Sequence, residues 1–190
     1  MIRSSAIPIG LRRRASGLYR SRRKRLLEVP SGALQRRFGR SNVEVDDTEF
    51  RYARAQARPD LMVEVGFSGI FRMFGALIDT QWVARRGGPP GEGAVEVGYR
   101  FDKSAFYRGR SSDHPLARRL SDKRTQTLAS RAELKRIKVL DGPGGRLVEI
   151  TPLPGTITAV YFPPMPPYSV PIKPEEADQQ LELLLYLADR

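Results

Sequence analysis

The chain contains no cysteine, and it has a single histidine and a single tryptophan in 190 residues. Without thiols there can be no disulfide, no thiolate zinc or iron–sulfur site and no cysteine nucleophile. One histidine, His114, excludes a site with several histidine ligands, and no Gly-x-Ser-x-Gly segment supplies a nucleophilic serine. These absences exclude several classes of enzyme and metalloprotein, and we predict neither a cofactor nor a bound metal ion.

A long apolar run is also missing. About 20 predominantly apolar residues are needed to span a bilayer, whereas the most apolar stretch, Leu61 to Ile78, is interrupted by Glu64 and Arg72. The N terminus lacks the apolar core of a secretory signal but has the Arg- and Ser-bearing composition of an organelle transit peptide. We therefore predict a cytoplasmic protein, with organelle targeting through the Arg-rich N terminus as the alternative.

Acidic residues are almost absent from the first forty positions. That region contains twelve basic residues and one acidic residue, Glu28, which gives it a net charge of +11. The remaining 150 residues carry 21 basic and 20 acidic groups. The helical pattern is patchy, and Pro30-Ser31-Gly32 interrupts it. We predict an Arg-rich arm over residues 1–40, mobile or partly helical, followed by a single domain over residues 41–190 that is long enough to bury a core.

Beyond the arm, apolar and polar residues alternate, which is typical of strands with one covered face. The clearest such segments are residues 61–67, 78–83 and 95–102, and the glycine- and proline-rich residues 85–93 are predicted to connect two of them. Additional strands are predicted at residues 43–46, 137–140, 147–150 and 156–162, with a hairpin turn over residues 141–145.

Two helical regions are predicted. The first, at about residues 115–136, is one helix or two with a break near 125–130, capped by Ser112 or Asp113, and Ser130 and Glu133 have capping-box spacing. The second, at about residues 174–188, has acidic residues in its first turns and leucines along one face. The predicted fold class is α+β: a mainly antiparallel curved sheet of about six to eight strands, with these helices packed on one face.

Candidate catalytic groups are few. Carboxylates on predicted strands could form an acid pair or a cation site, namely Glu64, Asp79, Glu96 and Asp102. Their parity places them opposite the apolar residues, where solvated charges belong. His114 has no visible partner for a role as general base, and the glycine-rich turn leads into a strand, unlike a phosphate-binding loop. We assign no catalytic residue, and an enzyme acting through the strand carboxylates is the last-ranked hypothesis.

The segment Pro163–Tyr168 has the Pro-x-x-Pro spacing of polyproline II ligands for aromatic grooves. A stiff connector between the last strand and the last helix needs the same composition. Because structured elements flank it closely, we favour the connector.

Two basic clusters provide the strongest functional signal. The first lies in the arm, and the second, over residues 115–138, has a net charge of +6. No helix-turn-helix, zinc-finger or RNP signature accompanies them, so they favour binding that does not depend on sequence. The candidate polyanion-binding residues are Arg12, Arg13, Arg14, Arg22, Arg23, Lys24, Arg25, Arg118, Arg119, Lys123 and Arg124.

The leading hypothesis is a non-enzymatic binding or accessory module whose partner is nucleic acid or another polyanion. An anionic membrane surface is a weaker alternative partner. The second hypothesis is a cup in which the apolar face of the sheet and the C-terminal helix enclose a small hydrophobic ligand.

Overall fold

The structure, a computed structural model, describes residues 9–72, 75–88, 94–161 and 164–190, with side chains from residue 20 onward except 70–72, 161 and 164–167. Four α-helices and ten strands lie within these ranges. In chain order they are α1 (Ile9–Phe38), β1 (Val43–Val45), β2 (Tyr52–Arg58), β3 (Leu61–Arg72), β4 (Gly75–Gly87), β5 (Val95–Arg100), β6 (Ala105–Tyr107), α2 (Pro115–Leu120), α3 (Lys123–Arg131), β7 (Leu134–Gly142), β8 (Gly145–Pro152), β9 (Thr156–Tyr161), β10 (Pro164–Val170) and α4 (Pro174–Asp189).

The strands form one open antiparallel sheet. Eight of them follow the order β1-β2-β3-β4-β8-β7-β5-β6, while β9 pairs with β4 and β10 pairs with β9. Strand β4 is long enough to pair with two strands along one edge, because residues 75–79 pair with β9 and residues 82–87 pair with β8. The predicted α+β class, with its mainly antiparallel sheet, is confirmed.

The sheet has more strands than the six to eight predicted. Strand β2 places only alanines, Ala53 and Ala55, in the core, so its apolar alternation is weak in the sequence. Strand β6 has three residues, too few for a pattern to be recognised. The predicted connecting turn over residues 85–93 lies partly outside the described residues.

One face of the sheet is apolar and is covered by helices. Helix α4 packs on β4 and β8, α1 packs on β1 to β3 and on α4, α3 packs on α4, and α2 packs on β6. Completely buried side chains from the sheet include Val63, Val65, Trp82 and Ile150. The alternation of apolar and polar residues along the strands therefore gives a sheet with a helix layer on one side and charged residues on the other.

Helix α4 confirms the prediction for residues 174–188 and covers the centre of the sheet. Leu183, Leu184 and Leu187 are completely buried. The indole N–H of Trp82 donates to Oε1 of Gln180 at 2.9 Å, which satisfies two polar groups inside the core. The last carbonyls of the helix also have partners, because Arg86 donates to Ala188 O at 3.3 Å and Arg146 donates to Leu187 O at 3.2 Å.

The described part of the predicted arm is helical, and its second half belongs to the core. Helix α1 continues through Pro30 to Phe38, with Leu27, Ala33 and Leu34 buried against the sheet and α4. Leu26 is buried in a smaller cluster formed with β4 and β9. From Leu26 onward the segment is therefore a packed element of the domain rather than a mobile extension.

The predicted block at 115–136 is two short helices, and its break is at Ser121-Asp122 rather than at 125–130. The break lies there because the Asp122 carboxylate accepts the N–H of Thr125 at 2.7 Å and so caps α3. Ser130 and Glu133 begin no helix, since β7 starts at Leu134.

Helix α2 is capped by His114 rather than by Ser112 or Asp113. The half-buried imidazole accepts the N–H of Leu116 through Nδ1 at 3.2 Å. The Asp113 carboxylate instead pairs with Arg118 at 3.2 Å. His114 therefore has a structural role at a helix N terminus.

The proline-rich segment is a strand, which corrects its prediction as a connector. Among the described strands, residues Pro164–Val170 pair with β9 alone, with an irregular register between Met165 and Tyr168. Proline is tolerated there because an edge strand needs backbone N–H groups on one side alone. Pro163 lies outside the described residues. The predicted hairpin turn at residues 141–145 is confirmed by the pairing of Gly142 with Gly145.

The packing of α4 predicts the cost of truncating its buried face. We expect Leu184→Ala to lower the free energy of unfolding by about 2–5 kcal/mol, since it removes a completely buried side chain and leaves a cavity. The matched control is Leu153→Ala, whose side chain is 57% exposed, and which should have a small effect. Denaturant unfolding measures both, and equal stability of the two variants would contradict the packing of α4 on the sheet.

Candidate polyanion-binding surface

Residues 20–25 of α1, here called the basic segment, carry five cations: Arg20, Arg22, Arg23, Lys24 and Arg25. Each is at least partly exposed. Among the side chains that the structure describes, no carboxylate lies within ion-pair distance of any of them. The segment therefore carries a positive charge that described acids do not neutralise.

The basic segment contacts two parts of the body, the turn between β1 and β2 and the edge strand β10. On one side, Cζ of Arg20 and Nζ of Lys24 lie 5.8 Å and 5.5 Å from the centroid of the Phe50 ring. On the other side, Nη1 of Arg22 donates to Oγ of Ser169 on β10 at 3.1 Å. Cation–π and hydroxyl contacts orient these side chains without cancelling their charge.

Phe50 is positioned by the turn that joins β1 to β2. Its φ of +51° is uncommon for an aromatic residue. The Asp46 carboxylate stabilises the turn by accepting the backbone N–H groups of Thr48 and Glu49, at 3.2 Å and 3.1 Å, and the Arg51 side chain at 3.1 Å. The hydrogen bond from the Glu49 N–H, reinforced by that from the Arg51 guanidinium, lowers the pKa of Asp46 to about 2.

Phe50, Asp46 and Ser169 were not among the predicted site residues. They come within reach of α1 only through tertiary packing, so no local sequence signal identified them. Arg12, Arg13 and Arg14 belong to α1, and their side chains are outside the described set. At a helical rise of about 1.5 Å per residue, they extend the basic segment along the same helix.

The second predicted cluster differs from the first because most of its cations have acidic partners. Arg118 pairs with Asp113 at 3.2 Å, and Arg119 pairs with Asp141 at 3.4 Å. Arg124 lies 3.8 Å from Glu182. Lys123 alone of the four candidates here has no carboxylate within ion-pair distance among the described residues.

The two clusters do not form one surface. The basic segment belongs to a helix that packs on β1 to β3, whereas α2 packs on β6 at the other end of the strand order. With neighbouring strands about 4.8 Å apart, the six steps from β2 to β6 separate them by on the order of 30 Å. The structure therefore brings together Arg22, Arg23, Lys24 and Arg25 and places the residues of α2 at the other end of the sheet. Arg124 of α3 lies near the C-terminal end of α1 instead, in a groove that Arg36 and Arg37 also line.

The strand carboxylates lie apart from one another, and each forms an ion pair with a basic side chain. Ion pairs join Glu64 to Arg85, Asp79 to Lys135, Glu96 to Lys138 and Asp102 to Arg100 at 3.7, 2.9, 2.9 and 3.4 Å respectively. Asp102 lies in the turn between β5 and β6, which corrects its placement on a strand. In the described part of the chain, no three His, Asp or Glu residues are grouped so that they could hold a metal ion.

The predicted cup is occupied by side chains where α4 meets the sheet. Trp82, Ile150, Leu184 and Leu187 are completely buried there. A groove of about 600 Å³ lies instead on the solvent side of α4, between α1, α3 and α4.

No described helix is long and apolar enough to cross a membrane. Comparison of the chain with protein-family models, curated proteins and solved structures returns no match.

The low pKa of Asp46 predicts how stability depends on pH. Its contribution is fully present above its usual pKa of 3.8 and is lost as pH falls through about 2, because protonation removes the acceptor of the turn N–H groups. We expect Asp46→Asn to lower the Tm above pH 4 and the difference from the parent chain to shrink toward pH 2.

The control for this prediction is Asp47→Asn, which changes the exposed neighbouring carboxylate. Thermal unfolding between pH 2 and pH 6 measures all three proteins. A difference between Asp46→Asn and the parent that does not vary with pH would contradict the role assigned to the ionised carboxylate.

Proposed function

We propose that this protein is a non-enzymatic binding or accessory module that contacts nucleic acid or another polyanion through the basic face of α1. The observation that carries the proposal is the basic segment, whose five cations have no ion-paired carboxylate among the described residues. Binding is independent of sequence, because the cations neutralise phosphates and release counterions.

Anchoring of α1 in the core favours this function. Leu27, Ala33 and Leu34 fix the second half of the helix against the body. The cations of residues 20–25 are therefore displayed on an element that is already ordered, so binding costs less conformational entropy than ordering a free tail. Positions 12–25 span about 20 Å along the helix axis, a length over which duplex DNA carries about twelve charges.

The structure of α1 also favours a polyanion over a membrane surface as the binding partner. An interfacial helix needs an apolar face that can enter the lipid. In the described part of α1, the buried leucines face the sheet and are unavailable for insertion. We propose a cytoplasmic location, and organelle targeting stays the alternative.

Matched charge variants test the proposal. We expect Arg23→Gln/Lys24→Gln/Arg25→Gln to weaken binding to duplex and single-stranded DNA. The slope of log affinity against log salt should decrease by about 0.7–0.9 for each phosphate contact removed. Fluorescence anisotropy from 50 to 300 mM salt gives affinity and slope together.

The control variant is Arg118→Gln/Arg119→Gln/Arg124→Gln, which removes the same charge from side chains that lie beside carboxylates. Its slope should match that of the parent chain. Equal losses in both variants would mean that net charge alone attracts DNA, and no binding by the parent at 50 mM salt would refute the proposal. Deletion of residues 1–40 is unsuitable as a test, because it also removes the buried Leu27 and Leu34.

A further inference from the structure

The groove on the solvent side of α4 has an apolar floor and a charged rim. Its floor is formed by Ala33 of α1 and by Leu181 and Leu185 of α4, and the Tyr186 ring forms part of one wall. Ala33 and Leu181 are buried, whereas Leu185 and Tyr186 are half-exposed and accessible from the groove. Its volume of about 600 Å³ is in the range of sites for small organic ligands, about 300–1,000 Å³.

Several charges of the rim are already engaged. Nη2 of Arg36 donates to both carboxylate oxygens of Asp178, at 2.9 Å and 3.1 Å. Asp189 pairs with Arg58 and with Arg86. The charges of these groups are therefore already balanced by ion pairs within the protein.

Two guanidinium groups of the rim donate no hydrogen bond to a described carboxylate. Arg124 lies 3.8 Å from Glu182, beyond hydrogen-bond distance, and its guanidinium is 4.8 Å from the centroid of the Tyr186 ring. Arg37 is exposed, and no described carboxylate is within ion-pair distance of it. A guanidinium presents a planar set of donors that matches an oxyanion.

We propose that the groove binds a monocarboxylic acid with an apolar aliphatic or aromatic body. Its carboxylate accepts hydrogen bonds from the rim guanidiniums of Arg37 and Arg124. Its apolar body lies on the half-exposed side chain of Leu185. This site is independent of the polyanion-binding surface and is on the opposite side of α4 from the predicted cup.

The charged side chains of the rim favour a ligand with a single negative charge. Asp178, Glu182 and Asp189 line the groove together with the three arginines. Their carboxylates repel a multiply charged phosphate or a nucleic acid strand, whereas a single carboxylate can accept hydrogen bonds from the two guanidiniums at lower cost. Charge complementarity therefore selects a monoanion.

Titration of the full chain with decanoate tests the proposal, with decyltrimethylammonium and inorganic phosphate as comparison ligands. In isothermal titration calorimetry at 150 mM salt, below the micelle concentration, we expect saturable binding of decanoate with one-to-one stoichiometry. Arg37→Gln and Arg124→Gln should each weaken it by about tenfold, the loss expected for a hydrogen bond to a charged group. Leu185→Glu should abolish it by placing a carboxylate on the floor.

The control is Arg131→Gln, which removes an exposed cation from the same helix as Arg124 but outside the groove and should bind decanoate like the parent chain. Thermal unfolding verifies that each variant is folded, and Arg37 and Leu185 are exposed enough to be changed without opening the core. Three results would overturn the proposal: non-saturable decanoate binding, equal binding of decyltrimethylammonium, or decanoate affinity unchanged in both arginine variants. Phosphate binding that displaces decanoate would likewise contradict selection of a monocarboxylate.

Discussion

The apolar face of the sheet must be kept from water along its whole width, and the rest of the structure depends on how the helices cover it. Helix α4 covers the centre, where Trp82 donates to Gln180 inside the core. Its C-terminal carbonyls accept hydrogen bonds from Arg86 and Arg146, which face each other on β4 and β8. These contacts fix the position of α4 on the sheet, and α1 then covers β1 to β3 beside it.

Because α1 helps to cover the apolar face of the sheet, it has two roles, and no boundary in its sequence marks where one ends and the other begins. Its second half supplies Leu27 and Leu34 to the core, while residues 20–25 carry cations between Phe50 and Ser169. The charge asymmetry of the chain therefore lies within one helix and does not mark a boundary between an arm and a body. A ligand that neutralises the basic segment binds an element of the native core, so its binding free energy adds to the stability of the fold.

Patterns that arise within single elements could be predicted from the sequence. Strand alternation, the hairpin at residues 141–145 and the amphipathic face of α4 are local, and each is present in the structure. Helix α1 was harder to predict because arginines dilute its apolar stripe and Pro30 suggests a break. Strand β10 was missed since proline disfavours strands everywhere except at an edge, and whether a strand lies at an edge depends on the whole sheet.

The candidate site likewise combines features that are local in the sequence with features that depend on the whole fold. The sequence locates both basic clusters, but it cannot indicate which cations have acidic partners, because most of those partners are distant in the chain. Arg119 and Asp141 are 22 residues apart, and Arg36 and Asp178 are 142 apart. Pairing separates a cluster that can attract a polyanion from one whose charge is largely cancelled.

The pairing also changes along α1 itself. Near its end, Arg36 is hydrogen-bonded to Asp178 at the start of α4, where acidic side chains favour the positive end of that helix. In the basic segment, three to four turns earlier, no described carboxylate lies within ion-pair distance of a cation. One helix therefore presents two electrostatic environments: a cationic stretch without ion-paired acids among the described residues, and a groove lined by both basic and acidic side chains. The position of α4 along α1 sets the boundary between them, so the contact that completes the core also determines which cations of α1 have acidic partners.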